Sequence, residues 1–296
     1  MSALFCKLFP RSSVSIALLS TCLPTYALNP TVLADLSQHL ISNPRFPTDP
    51  FVVHDMKDDL LFEENAEQLG QLNIQVAAKL MDRDEFKRDH EEKWDLDGLL
   101  KPVRAEDQIF LAKSAALFHN VKPEFFSASS ISDLNFLQST KHETKCEVVN
   151  REENIIKHSK RAYGLTFSAK IHYASYNFQT GEAQGIDEAF AKNLLSRFSR
   201  GQGQPVVIAT EYSKQEDVNR GSFGGRTVHL YYQVNQKDTL LVSYRFLTIK
   251  KEDIFWGPLW TMVKGAAQPK LFETLTAETK KKRAYFLEGK GKREEL

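Results

Sequence analysis

Eight histidines are spread along the chain: His39, His54, His90, His119, His142, His158, His172 and His229. A zinc protease places two histidines one helical turn apart, so that both rings reach one ion from the same helix face. His90-Glu91-Glu92 lacks the second ring, and no other pair has that spacing. His54 stands before Asp55, Asp58 and Asp59, a group able to chelate a cation. A solvated acidic turn explains the same residues more simply. Asp95-Leu96-Asp97-Gly98 looks like part of a calcium loop. Aligning Gly98 with the loop glycine puts Lys93 and Arg104 where carboxylates must coordinate, so no calcium is expected. No metal or cofactor is assigned, and no catalytic residue can be named.

The remaining signatures are incomplete. Gly201-Gln202-Gly203-Gln204-Pro205 lacks the third glycine of a dinucleotide loop, and its proline opens a strand instead of a phosphate-binding helix. Gly221-Ser222-Phe223-Gly224-Gly225 lacks the residue that separates glycine from serine in a nucleophile elbow. His172 and His229 fall within expected strands, where they either face a cavity or make structural hydrogen bonds. The segment Ile254–Val263 holds two of the three tryptophans, Trp256 and Trp260, with Phe255 beside them and Lys250, Lys251 and Lys264 around them. Aromatic rings flanked by lysine suit a membrane interface or the rim of an apolar pocket. The competing expectation is that both rings fill the core.

The N-terminus reads as an export signal. Lys7 and Arg11 form a positive region with no acid, and the ten residues Val14–Leu23 are apolar but too few to span a bilayer. Pro24 ends them, and Thr25-Tyr26-Ala27 places small residues for cleavage between Ala27 and Leu28. Leu19-Ser20-Thr21-Cys22 also resembles a bacterial lipobox, which would leave a lipid anchor on Cys22. Cleavage removes two cations and takes the formal charge from +1 to −1. A near-neutral chain is poorly suited to nucleic acid, whose binding rests on phosphate neutralisation. Cys146 is then the one remaining thiol, so no internal disulfide forms and the thiol is expected as a small buried hydrophobe.

Residues 28–296 suffice for a substantial core, and no other segment has the length of a transmembrane helix. Residues 55–97 carry 14 acids against 6 bases and read as a solvated face or a surface for a basic protein partner. Leu69, Leu72, Val76, Ala77 and Leu80 fit a helix there, whereas Leu72, Ile74 and Val76 fit a strand. Ala105–Asn120 is expected to be a helix, with Ile109, Phe110, Ala112, Ala116 and Leu117 as its apolar face. Residues 123–133 make a boundary. Asn150–Glu153 reads as a capping box. Leu165–Phe178 alternates as a strand, Asp187 caps a helix bearing Phe190, Leu194, Leu195 and Phe198, and Pro205–Ser213 is a strand. Thr227–Val234 and Thr239–Lys250 form a hairpin, and a last helix runs from Pro269 to Glu288.

These elements predict an α+β fold, an antiparallel sheet with packed helices preceded by a mostly helical N-terminal region. The expected divisions are a signal at 1–27, an acidic helical region at 28–127, a sheet domain at 128–288 and a basic tail at 289–296. Ser130-Ile131-Ser132-Asp133-Leu134-Asn135-Phe136-Leu137 and Leu230-Tyr231-Tyr232 resemble pieces of a family of exported bacterial proteins known only as a domain of unknown function. The resemblance implies a location in the periplasm or cell envelope and carries no activity or site residues. The expected function is non-enzymatic: binding of an apolar small molecule or lipid, or of a partner protein. A hydrolase with scattered catalytic residues is the alternative. A third expectation, an accessory factor of the endoplasmic reticulum lumen, follows from the ending Arg293-Glu294-Glu295-Leu296, close to a retrieval signal.

Overall fold

The computed structural model describes residues 52–55, 75–94, 103–118, 120–141, 143–162, 165–198, 204–219, 224–233, 236, 238–250 and parts of 274–286. The expected signal segment with Cys22, Ala27 and Leu28 lies outside these residues, as do Phe255, Trp256, Trp260, Lys264 and the basic tail.

The framework is one antiparallel sheet. Its strands are β1 (Val52–Asp55), β2 (Gln75–Asp82), β3 (Gln108–Phe118), β4 (Lys145–Asn150), β5 (Ile155–Ala162), β6 (Leu165–Asn177), β7 (Ala183–Gln184), β8 (Val207–Ser213), β9 (Gly224–Gln233) and β10 (Thr239–Ile249). They lie in the order β1-β2-β3-β10-β9-β8-β6-β5-β4, with the two-residue β7 beside β6. The expected hairpin is present, with Thr239 opposite Gln233 and Leu240 opposite Tyr232.

The helices are α1 (Arg83–Trp94), α2 (Ala128–Ile131), α3 (Leu134–Thr140) and α4 (Glu188–Phe198), with a 3-10 turn at Pro123–Phe126 and a C-terminal helical segment between residues 274 and 286. Asp133 caps α3 by accepting from the backbone N–H groups of Asn135 and Phe136. Asp187 caps α4 by accepting from Phe190 N–H, as its position in the sequence predicts.

Helices cover both faces of the sheet. Side chains on a strand alternate between faces, so the even residues of β9 and β10 enter one core and the odd residues the other. On the first face Phe86 and Trp94 of α1 and Leu194 and Phe198 of α4 pack on Leu230, Tyr244 and Phe246. The Trp94 and Phe198 rings meet edge-on at 4.7 Å. On the second face the 3-10 turn, α2, α3 and the C-terminal segment pack on Phe110, Phe118, Tyr231 and Leu241. Phe126 stacks on Tyr231 at 4.1 Å, and Phe286 meets Phe118 at 5.5 Å.

This layering accounts for the corrections to the sequence reading. Among its described residues Ala105–Asn120 contains no helix; it carries strand β3, with Ile109 and Leu111 in the first core and Phe110, Ala112, Ala116 and Phe118 in the second. A strand buried on both faces reads as a continuous apolar run, which helical spacing also fits. The described part of 28–127 is therefore not mostly helical: it holds three strands, the helix α1 and the 3-10 turn Pro123–Phe126. Gln75–Asp82 resolves to the strand alternative. β3 pairs with both β2 and β10, so residues on either side of position 127 share one sheet. Asn150–Glu153 forms a hairpin turn in which Asn150 Oδ1 accepts from Glu152 and Glu153 N–H, and Asn154 closes it at φ 52°.

Candidate functional site

Two adjacent rows cross the second face of the sheet. Glu211, Thr227, Arg245 and Ala112 are register partners along β8, β9, β10 and β3. Ala209, His229, Ser243 and Ser114 form the next row. The core on this face is largely apolar, and these two rows bring ionic and hydroxyl groups into it. Lys141 descends on the rows from the end of α3, and Glu278 and Lys282, one helical turn apart, descend from the C-terminal segment.

The groups form a connected network. Lys141 Nζ donates to Glu211 Oε2 at 3.0 Å and lies 3.8 Å from Glu278 Oε2. Arg245 donates from one terminal nitrogen to Glu278 Oε2 at 3.3 Å and from Nε to Thr227 Oγ1 at 3.3 Å. His229 Nε2 is 3.2 Å from Glu211 Oε1, and its Nδ1 is 2.7 Å from Ser243 Oγ. Nearby, His158 Nε2 bonds the Tyr173 hydroxyl at 2.9 Å.

Burial and charge set the protonation of the network. Burial opposes ionisation of Glu278, but Lys141 and Arg245 outweigh it and hold the carboxyl at about 2. Burial likewise opposes a charged Glu211, and Lys141 with the His229 hydrogen bond outweighs it, so this carboxyl lies well below the usual range. Glu211 and Glu278 raise the Lys141 ammonium against its own burial. Burial drops His229 and His158 to about 4 each, so both rings are neutral near pH 7. Burial lowers Lys282 to about 8. It also raises the Cys146 thiol to about 11, which removes its nucleophilicity at neutral pH.

A cavity of about 190 Å³ opens beside the network. Lys141, Glu211, Arg245 and Glu278 supply its charged wall, and Ile171 and Leu247 part of its apolar wall. A second space of about 20 Å³ lies next to Ser243, His229 and Lys282, and Thr227, Arg245 and Glu278 border both. The first can hold a small organic molecule and the second about one water.

On the opposite face His172 Nε2 bonds Asp217 Oδ2 at 2.9 Å and stacks on Tyr212 at 4.9 Å. The Arg226 guanidinium lies 5.2 Å from the Tyr212 ring and 5.4 Å from Phe190.

Of the residues singled out in the sequence, His229 is brought into the network and His172 is placed away from it. His54 and Asp55 are neighbours in β1, while Asp58 and Asp59 lie outside the described residues. Among the described residues no group of three His, Cys, Asp or Glu is placed to hold a metal ion, and no helix is long and apolar enough to cross a membrane. Sequence reasoning missed Lys141, Glu211, Ser243, Arg245, Glu278 and Lys282. The available signal was the isolated histidine, serine and arginine on the strand face opposite Val228, Leu230, Val242 and Tyr244, which reads as a solvated face until something covers it.

No family model matches the sequence, and no curated protein does. Solved structures similar to the chain include a START superfamily protein from Mycobacterium smegmatis, 14% identical over 59% of this chain and 94% of that one, with a TM-score of 0.35. A conserved protein from Geobacillus kaustophilus is 12% identical over 60% and 94%, with a TM-score of 0.35. The ginseng major latex-like protein from Panax ginseng is 10% identical over 59% and 97%, with a TM-score of 0.30.

Proposed function

We propose that this protein is an exported binding protein that takes one small amphipathic molecule between its sheet and its C-terminal helical segment. The observation that carries the proposal is the 190 Å³ cavity, with charged groups on one wall and Ile171 and Leu247 on another. Such a mix of apolar lining and a few convergent polar groups is the ordinary make-up of a ligand site. Its volume is close to the roughly 150 Å³ that accommodates benzene, so the enclosed part of the ligand is compact and a full lipid chain would extend beyond it. The export signal at 1–27 and the lipobox at Cys22 support a place in the cell envelope.

Filling the cavity tests this. Leu247→Trp should abolish the rise in melting temperature that a bound six-carbon amphiphile produces, while leaving the far-ultraviolet circular dichroism unchanged. If no hexanoate, hexanol or hexylamine stabilises the wild type at 10 mM, the cavity is not a binding site for this class.

One observation favours a second, hydrolytic reading: Ser243, His229 and Glu211 stand in relay, with a neutral imidazole between hydroxyl and carboxylate. The space beside Ser243 holds about one water, so an acyl substrate would have to displace the helical segment. Covalent labelling of Ser243 by a fluorophosphonate would support hydrolysis, and its absence in the folded protein would remove it.

A further inference from the structure

We infer that the charged wall of the cavity is an anion site, and that the ligand presents a carboxylate to Lys141 and Arg245. The inference rests on the binding reading above and names the head group it requires.

The first argument is charge. Three cations, Lys141, Arg245 and Lys282, converge where the described residues supply two carboxylates, Glu211 and Glu278. Of the other groups beside them, His229 and His158 are neutral at pH 7, burial keeps the Tyr173 phenol and the Cys146 thiol protonated, and Lys281, whose Nζ donates to the Lys141 carbonyl at 3.5 Å, is a further cation. Among the described residues the cluster thus holds more cations than anions. An uncompensated charge behind an apolar wall costs several kcal/mol or shifts its own pKa. Lys282 shows the second response, with its amine lowered to about 8.

The second argument is donor geometry. Arg245 carries five N–H donors, and the bonds to Glu278 and Thr227 use two. Lys141 has three, with one given to Glu211. Both side chains line the larger cavity, so their remaining donors are available to a ligand there. The carboxylates of the network hold the two cations in place, and Glu278 joins them to the helical segment.

Lys282 then becomes a reporter. It lies beside the smaller space, across Arg245 and Glu278 from the larger one, and responds to Glu211, Lys141, Glu278 and Arg245. An added anion favours its protonated form, so binding near pH 8.5 takes up about half a proton per ligand. A neutral ligand takes up none, and a cation releases protons.

The experiment compares three molecules of one size, hexanoate, 1-hexanol and hexylamine, on the full exported chain. Binding is read from the melting temperature and from calorimetry at pH 8.5 in two buffers of different ionisation heat. Hexanoate should bind at least tenfold more tightly than hexanol, and hexylamine should not bind. The hexanoate heat should differ between buffers by the amount that proton uptake requires. Lys282→Arg keeps the charge and removes the titration, so hexanoate should still bind with no uptake. Lys141→Met should erase the preference for hexanoate over hexanol. Equal binding of hexanol and hexanoate, or uptake that persists in Lys282→Arg, overturns the anion site and leaves the binding reading standing. Failure of all three molecules overturns the binding reading itself.

Discussion

Replacing His229 by glutamine should change how the stability of this protein responds to acid. His229 is 2% exposed, and burial lowers its pKa from 6.5 to about 4. A base whose folded pKa is depressed is neutral when folded and protonated when unfolded throughout that window. Its contribution is complete above pH 6.5 and is lost as pH falls toward 4. At 1.36 kcal/mol for each unit, the loss is about 3 kcal/mol. That is a large part of the 5–15 kcal/mol by which a domain is ordinarily stable. Glutamine cannot titrate and can still donate to Glu211, so the variant should be about 1 kcal/mol less stable at pH 7, where one hydrogen bond is weakened. Its curve should be flatter from pH 6.5 to 4, and the two proteins should cross within that window. His158, lowered to about 4 by the same cause, adds a comparable slope to both. Urea unfolding followed by circular dichroism at half-unit pH steps gives the two curves. Parallel curves between pH 6.5 and 4 would refute the burial argument for His229.

Glu278→Gln should cost about 3–5 kcal/mol at pH 7, because it leaves Lys141 and Arg245 buried with one carboxylate between them. Since Glu278 is held at about 2, the wild-type advantage should shrink as pH falls from 4.5 toward 2, measured by the same urea titration. Cys146→Ala should cost on the order of 1 kcal/mol, and the native thiol should resist Ellman's reagent until the protein unfolds. Mass spectrometry and N-terminal sequencing of the exported protein should find Leu28, or a lipidated Cys22, as the first residue; an intact Met1 in exported material would remove the signal reading. Trp256→Ala with Trp260→Ala should abolish association with anionic vesicles without altering the melting temperature, and loss of folding instead would place both rings in the core.

Local pattern made much of the second half of the fold legible. The β9–β10 hairpin follows from two alternating runs separated by Asn235-Gln236-Lys237-Asp238, and β6 from alternation through Phe167, Ala169, Ile171 and Tyr173. The cap at Asp187 and the apolar positions of α4 are likewise short-range facts. The burial of Cys146 likewise follows from its residue type. Tertiary structure alone decided which faces are covered. β3 has the composition of a buried element of either kind, and its place between β2 and β10 makes it a strand. The same applies to the site: Glu211, His229, Ser243 and Arg245 look like the solvated side of β8–β10 until Lys141, Glu278 and Lys282 close over them. Residues 140 positions apart in the chain meet there, as Lys281 does with the Lys141 carbonyl, and no local spacing encodes such an encounter. What converts an ordinary polar face into a charged, partly enclosed wall is the removal of water by packing from distant elements, and that is also what shifts its pKa values.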